Sequence, residues 1–170
     1  MLITITSGFF DPIGIQHLEL FKNAKKLGNY HIVGVNSDKC ALMKKKQPSF
    51  MPFKERIEIC KQLKNVDEVR GFNDNDGTAC LLLQDIFDEY KNDIINGKVK
   101  ILFCNGGDTS PNQVICPEQK YVDENLNGYI EMIYGCGGFN KLSSSSDHLR
   151  NWVNETCKKH NVDFELKNKY

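Results

Sequence analysis

The sequence lacks a net charge and lacks any long apolar run. Its 170 residues contain 22 basic and 22 acidic side chains, and this balance excludes nucleic-acid binding that is driven by bulk positive charge. No stretch approaches the roughly 18 consecutive apolar residues of a membrane-spanning helix. The first ten residues, MLITITSGFF, have neither the basic flank nor the small-residue cleavage site of a secretory signal. We therefore expect a cytoplasmic protein that binds neither nucleic acid nor membrane.

Paired cysteines are also missing. The chain has seven cysteines, an odd number, and no two of them form a CxxC pair. A disulfide framework or a zinc site would require pairs or closely spaced ligands. The cysteines are therefore expected to be reduced and mostly buried, and no metal held by protein ligands is expected.

The chain does have the composition of one ordinary globular domain. Hydrophobic residues make up 40% of the sequence and charged residues 26%, as in soluble globular proteins generally. At about 150 residues per domain, and without a linker-like stretch, residues 1–170 are predicted to form a single domain. The neutral total is unevenly distributed, because residues 1–64 carry a net charge of +6, residues 65–131 of −8 and residues 132–170 of +2.

Short strand-like runs alternate with helical periodicity along the chain. The strand-like runs are at 2–6, 31–35, 66–72, 99–104 and 129–134. Apolar residues at helical spacing occupy 15–27, 53–63, 79–90 and 149–157, and a less regular helix is predicted at 117–126. The VDFEL run at 162–166 fits either an extra strand or a frayed end. Such alternation predicts an α/β domain with a five-stranded parallel sheet flanked by helices.

Four segments that follow predicted strands are candidates for a ligand site, because ligands of open parallel sheets lie beyond the carboxyl ends of the strands. The first, SGFFDPIGIQH, places His17 in the first turn of a helix. The free N–H groups and the dipole at such a helix start favour an anion such as phosphate. A lone histidine here also fits an ordinary surface or core position, and both interpretations stay open.

The other three segments allow a structural and a ligand-binding interpretation in the same way. Lys44-Lys45-Lys46, with Arg56 downstream, forms either a polyphosphate clamp or a solvated basic loop. The CNGGDT turn at 104–109 either approaches a nucleoside closely or is an ordinary turn. The serines at 143–146, preceded by Lys141, either cap a helix or bind a second phosphate. One nucleoside triphosphate site explains all four segments together.

In this order and spacing, the motifs resemble the cytidylyltransferase-like nucleotidyltransferases, whose signature is HxGH. The likeness is strongest to heptose-phosphate adenylyltransferases and glycerol-phosphate cytidylyltransferases. The motifs that carry it are GFFDP at 8–12 with His17, VNSD at 35–38, MP at 51–52 with ER at 55–56, NGGD at 105–108, and GG, K and SSS between 137 and 146. They span residues 3–153 and leave a tail at 154–170. The chain departs from the signature at Gly14 and Gln16, where the family has histidine and glycine, at Thr109 in place of arginine, and at Asp147 in place of an apolar residue.

The resemblance implies a Rossmann-like fold and a reaction in which NMP from CTP or ATP is joined to a small phosphorylated metabolite with release of pyrophosphate. Mg²⁺ is expected with the nucleotide, without a dedicated cage of protein ligands, and a homodimer is common in the family. The implied catalytic residues are His17, Lys44 and Lys46. The implied nucleotide-binding residues are Gly8, Phe9, Phe10, Asp11, Asn105, Gly107, Asp108, Ser144, Ser145 and Ser146. Arg56 and Lys141 are implied to bind the substrate.

Two alternatives accompany this interpretation. The loss of the first motif histidine at Gly14 is compatible with a degenerate relative that binds a nucleotide without turnover. An unrelated α/β domain, such as a flavodoxin-like binding module, fits the alternation of strands and helices but gives no reason for five collinear motifs.

Overall fold

The computed structural model describes residues 1–106, 116–138 and 144–162, and in them strands and helices alternate. The strands are β1 (Leu2–Gly8), β2 (Tyr30–Val35), β3 (Glu68–Gly71), β4 (Lys100–Cys104) and β5 (Ile130–Ile133). The helices are α1 (Ile15–Leu27), α2 (Asp38–Lys45), α3 (Phe53–Lys61), α4 (Cys80–Ile95), α5 (Pro117–Asn125) and α6 (Ser145–Lys159). The predicted α/β class is confirmed. The final helix continues beyond residue 153, where the motif resemblance ends, and all of the VDFEL run except Val162 lies outside the described residues.

The five strands of the described residues form one sheet in the order β3-β2-β1-β4-β5, and every neighbouring pair is parallel. The chain adds β2 and β3 on one side of β1 and then crosses over to add β4 and β5 on the other. The carboxyl ends of β1 and β4 therefore flank the point where the order of the strands reverses, which is the usual ligand position in such sheets.

Both faces of the sheet are buried, because consecutive side chains of a strand point to opposite sides. Ile3 and Ile5 of β1 belong to one apolar cluster, which α4 and α5 cover. Val33 and Val35 of β2 belong to a second cluster on the other face, together with Phe21 of α1 and other residues of α1 and α3. Burial on both faces explains why the β4 run reads as almost continuously apolar.

Helix α1 begins and ends where its sequence pattern predicts. Leu20, Phe21 and Ala24 form its buried stripe, and Gly28 follows its last residue at the predicted C-terminus. This helix follows β1 directly, so its N-terminus lies at the carboxyl edge of the sheet.

Helix α2 was not predicted, because the lysines at 44–46 were interpreted as part of a loop. Ser37 caps the helix by accepting a hydrogen bond from the N–H of Cys40 at 3.1 Å. The helix buries only Cys40 and Ala41, which is too few apolar positions to show a period in the sequence. Lys46 ends it in the left-handed conformation, with a φ of 58°.

No helix of residues 1–106, 116–138 or 144–162 is both long enough and apolar enough to cross a membrane.

Candidate functional site

A cleft of about 200 Å³ opens at the carboxyl end of β1. It lies where α1 and α6 both begin, so the loop after β1 and the helix start after β5 share it. Its lining residues are Phe9, Phe10, Asp11, Gln16, His17, Lys45, Ser144, Ser145 and Ser146. The cleft therefore unites the first, second and fourth of the segments that the sequence marked as candidates.

The imidazole of His17 is held in one orientation by its own helix. Its Nδ1 accepts a hydrogen bond from the backbone N–H of Gly14 at 3.0 Å, so in the neutral ring the proton is on Nε2. Burial, and then the positive charge of Lys45, lower the pKa of His17. The result is a neutral imidazole near pH 7 with Nε2–H as its donor, next to the cleft.

Phe10 fixes the shape of the turn that follows β1. Its backbone is left-handed, with a φ of 51°, and its buried ring lies edge-on to His17 at 5.2 Å between ring centroids. The same ring covers Gly8 so closely that a Cβ at that position would stand 3.0 Å from two ring carbons. Gly8 is therefore needed here for close packing against Phe10, and its contact with a nucleotide stays a prediction.

Lys45 is the lysine that the structure brings to the cleft. Its Nζ lies 4.6 Å from the centre of the Phe9 ring, a cation–π distance. Burial lowers the pKa of Lys45, and the nearby carboxylate of Asp11 partly opposes that shift. The half-buried ammonium group thus supplies a positive charge at the wall formed by Phe9 and Asp11.

The sequence prediction named Lys44 and Lys46 instead, and the structure places neither of them among the lining residues. Successive residues of a helix point about 100° apart, and the helical conformation was not predicted. The Lys44 side chain lies over Gly77, where a Cβ would meet its Cε at 3.0 Å. Lys46, at the end of α2, is exposed.

Asp11 is buried, and its carboxylate connects two loops. Its two oxygens accept hydrogen bonds from the backbone N–H groups of Phe50 and Met51, at 2.9 and 2.8 Å. These contacts hold the segment before α3 against the turn after β1. The Asp11 carboxylate that lines the cleft therefore also serves as a hydrogen-bond acceptor that holds the two loops together.

Arg56 was predicted to bind the substrate, but the structure corrects this assignment. Its side chain is completely buried and donates to the carbonyl oxygens of Met51, Phe9 and Asn36, at 3.0, 2.6 and 2.8 Å. It also pairs with Asp38 at 2.6 Å. Because four of its five N–H donors bond to these partners and its side chain is absent from the lining of the cleft, Arg56 organises the site from beneath.

The serines at the start of α6 bring a second helix N-terminus to the cleft. Ser144 caps the helix, since its Oγ accepts from the N–H of Asp147 at 3.0 Å. The Oγ of Ser145 donates to the carbonyl of Pro12 at 2.6 Å, which fastens α6 to the loop that precedes α1. The first N–H groups of a helix have no intrahelical acceptor, so α1 and α6 both favour negative charge at this point.

The residues predicted to face the nucleoside are only partly described. Asn105 follows β4 but is not among the residues that line the cleft; its backbone N–H donates to Ile133 at 2.8 Å. Gly107, Asp108 and Lys141 lie outside the described residues.

Two residues of the cleft were missed by the list of site residues inferred from the sequence. Lys45 belongs to the lysine run and could have been selected only if the helix had been predicted. Gln16 stands inside the HxGH-like motif, and its replacement of the motif glycine was the one feature of the sequence that could have marked it as a site residue.

The fold and the site together define a class. A parallel sheet with a polar cleft at the carboxyl end of its central strand, bordered by two helix N-termini, is the architecture of an α/β fold whose ligand position lies at that edge, where the helix starts favour anions. Within this class, residues 5–124 match the sequence model of the cytidylyltransferase-like family. The chain belongs to that family, as the resemblance predicted.

The relatives found by sequence agree with this assignment. The chain is 32% identical over 112 residues to the bifunctional protein HldE of Erwinia tasmaniensis, covering 62% of this chain and 23% of that protein. It is 38% identical over 65 residues to the FAD synthase of Thermococcus sibiricus, covering 38% of this chain and 44% of that protein. The chain therefore spans less than half of the length of these curated relatives.

Solved structures share the fold. The lipopolysaccharide core biosynthesis protein of Thermoplasma volcanium superposes with a TM-score of 0.57 at 20% identity, covering 79% of this chain and 95% of that one. A putative nicotinate-nucleotide adenylyltransferase of Vibrio parahaemolyticus gives 0.53 at 14% identity, covering 91% and 88%. At these identities the comparison concerns the fold alone.

Proposed function

We propose that this protein is a nucleotidyltransferase that joins NMP from CTP or ATP to a small phosphorylated metabolite and releases pyrophosphate. The observation that carries the proposal is the cleft in which the Nε2–H of His17, the ammonium of Lys45 and the starts of two helices meet. Membership of a family of nucleotidyltransferases supports the same reaction.

The proposed reaction needs positioning and charge stabilisation rather than a covalent intermediate. A phosphate oxygen of the acceptor attacks the α-phosphorus in line, and the bond from that phosphorus to the bridging oxygen breaks, so that pyrophosphate leaves. The Nε2–H of His17 donates to an α-phosphate oxygen as negative charge develops there. Lys45 and the N–H groups at the start of α6 neutralise the β- and γ-phosphates.

Mg²⁺ is proposed to enter as part of the nucleotide substrate. Within the described residues, no group of three or more His, Cys, Asp or Glu side chains could hold a metal ion. The Asp11 carboxylate accepts two backbone N–H groups, so the oxygens of the triphosphate are the better ligands for the metal. Asn105, Gly107 and Asp108 remain proposed contacts of the nucleoside, Lys141 of the acceptor phosphate, and a homodimer remains a prediction.

Pyrophosphate release is the measurement that tests the proposal. The protein is incubated with Mg²⁺, CTP or ATP and a panel of sugar and polyol phosphates, and release with at least one pair is expected. His17→Ala should lower that rate roughly 10²- to 10³-fold, because one transition-state donor is lost. His160→Ala, at the exposed end of α6, is the matched control and should leave the rate unchanged.

A second candidate function is nucleotide binding without turnover, and the specific observation in its favour is Gly14 in place of the first motif histidine. Nucleotide binding with no pyrophosphate release from any pair would contradict the enzyme and support this alternative.

A further inference from the structure

Gln16 occupies an unusual position in the cleft. It stands in the first turn of α1, one residue before His17, and lines the cleft beside Lys45. Its amide nitrogen is buried, yet it has no hydrogen-bond partner among residues 1–106, 116–138 and 144–162. Buried polar groups are nearly always paired in native proteins, and an unpaired one lowers stability. The side chain therefore makes no evident contribution to the fold that would explain a glutamine here.

Within the part of the chain that the structure describes, no neighbouring group accepts a hydrogen bond from the amide nitrogen of Gln16. The two carboxylate oxygens of Asp11 already accept from Phe50 and Met51, and the Nδ1 of His17 accepts from the N–H of Gly14. Lys45 can only donate. A ligand in the cleft can supply the acceptor that the described residues lack, and the ammonium of Lys45 and the helix starts favour a ligand with anionic oxygens.

The neighbouring position 14 points to the same conclusion. A Cβ on Gly14 would stand 3.5 Å from the Oγ of Ser145, whose hydroxyl group is bonded to Pro12. This is an ordinary van der Waals distance, so position 14 has room for a Cβ but carries no polar side chain, and Gln16 is the polar residue that stands beside His17 in this turn. The last torsion of a glutamine is broad and roughly two-fold, so the amide can turn its N–H₂ group toward a ligand.

We propose that Gln16 is a ligand-binding residue, and that its carboxamide donates a hydrogen bond to an anionic phosphate oxygen of the nucleotide in this cleft. The proposal rests on the proposed function for the identity of the ligand as a triphosphate. It assigns a binding role to a residue that replaces the glycine of the family's signature.

The test measures the affinity for nucleotide, which should fall in the variants, and the melting temperature without ligand, which should not fall in Gln16→Leu. Gln16→Leu keeps a similar size and helix propensity but removes the amide, and Gln16→Glu adds a negative charge. By calorimetric titration with CTP, ATP and inorganic pyrophosphate, Gln16→Leu should weaken binding roughly tenfold or more, and Gln16→Glu further. Without ligand, the melting temperature of Gln16→Leu should equal or exceed that of the wild type, because an unpaired buried donor is gone.

Gln62, exposed at the end of α3, provides the matched controls Gln62→Leu and Gln62→Glu, which should change neither property. Unchanged affinity of Gln16→Leu for all three probes overturns the proposal, as does a marked fall of its melting temperature without ligand. No binding of any probe by the wild type overturns both this proposal and the proposed function. If both Gln16 variants bind the probes and turn over like the wild type, the proposed role of Gln16 is wrong and the proposed function stands. Binding that depends on Gln16, without turnover by the wild type, supports the role and removes only the transferase activity.

Discussion

At the scale of single residues, Arg56 supports the cleft although its side chain does not line it. Its guanidinium joins the turn after β1, through Phe9, to the end of β2, through Asn36, and to the segment before α3, through Met51. These backbone carbonyls would be left without a partner if the side chain were shortened. Asp38 would lose its ion-pair partner but keep the hydrogen bond from the N–H of Phe53.

Arg56→Met should therefore lower the free energy of unfolding by about 3 kcal/mol or more, because three backbone carbonyls lose their donor at about 1–3 kcal/mol each. Urea unfolding measures this difference. Lys61→Met, which removes an exposed lysine paired with Glu58, is the control and should change it by less than about 1 kcal/mol. If Arg56→Met kept its stability and lost only affinity for the acceptor phosphate, the substrate-binding role predicted from the sequence would be correct.

At the scale of elements, the contact between β2 and α4 depends on a glycine. Gly34 lies in the middle of β2, and an added Cβ would stand 2.3 Å from Cδ2 of Leu82. Leu82 is 1% exposed and is part of the buried stripe of α4, so it has little room to withdraw. The small residue sets how closely this helix approaches the sheet.

We expect Gly34→Ala to lower the free energy of unfolding by about 1–3 kcal/mol through overpacking. The double variant Gly34→Ala/Leu82→Ala should be destabilised by less than the sum of the two single variants, because Leu82→Ala removes the atom with which the new Cβ collides. Chemical denaturation of the four proteins of the cycle gives the coupling. Gly106→Ala, where no atom of residues 1–106, 116–138 or 144–162 lies within 4 Å of an added Cβ, should have little effect. Strict additivity would show that the collision is relieved elsewhere.

At the scale of the whole molecule, the segments of positive net charge are those that supply the described lining residues of the cleft. The lining residues of the cleft come from the first 64 residues and from residues 144–146, which lie in the two segments with net charges of +6 and +2. The segment with a net charge of −8 contributes no lining residue among those described. Within the cleft, the ammonium of Lys45 and the two helix starts favour an anionic group, and the carboxylate of Asp11 offsets part of that charge.

Stability should depend on pH through two buried histidines. Burial lowers the pKa of His17 from 6.5, and it lowers the pKa of His31 against the smaller opposing effects of the Asn65 carbonyl and Asp67. The His31 Nδ1 donates to the carbonyl of Asn65 at 2.6 Å, and in the neutral ring, which burial favours, Nε2 can accept from the Thr6 hydroxyl at 3.0 Å.

Because the unfolded chain takes up protons near pH 6.5 and the folded protein does so only at lower pH, the free energy of unfolding should fall as the pH decreases below about 6.5. Urea titrations between pH 7.5 and 5 measure the slope. His17→Gln should flatten it, whereas His160→Gln, at an exposed site, should not. Stability that rises as the pH falls through this range would mean that a folded-state pKa is raised rather than lowered.

The course of the fold could be predicted because its signals are local. Apolar residues at helical spacing and the closing Gly28 predicted α1 from Ile15 to Leu27, although Ile15, Leu18 and Leu27 of that spacing are exposed. The apolar run of β4 predicted a strand buried on both faces. Helix α2 escaped prediction because its cap at Ser37 and its two buried residues form no visible period. The position of the ligand site at the carboxyl ends of the strands followed from the alternation alone.

The sequence by itself thus determined the class of fold, the family and the edge of the sheet at which the cleft opens, since periodicity and motif order are properties of neighbouring residues. Only the tertiary structure decided that Lys45 rather than Lys44 or Lys46 faces the cleft, that Arg56 is buried, and that the amide of Gln16 lacks a partner. These outcomes depend on helical phase and on contacts between distant segments, such as Ser145 with Pro12. The role of a side chain at the cleft therefore depends on which groups of distant segments the fold brings into contact with it.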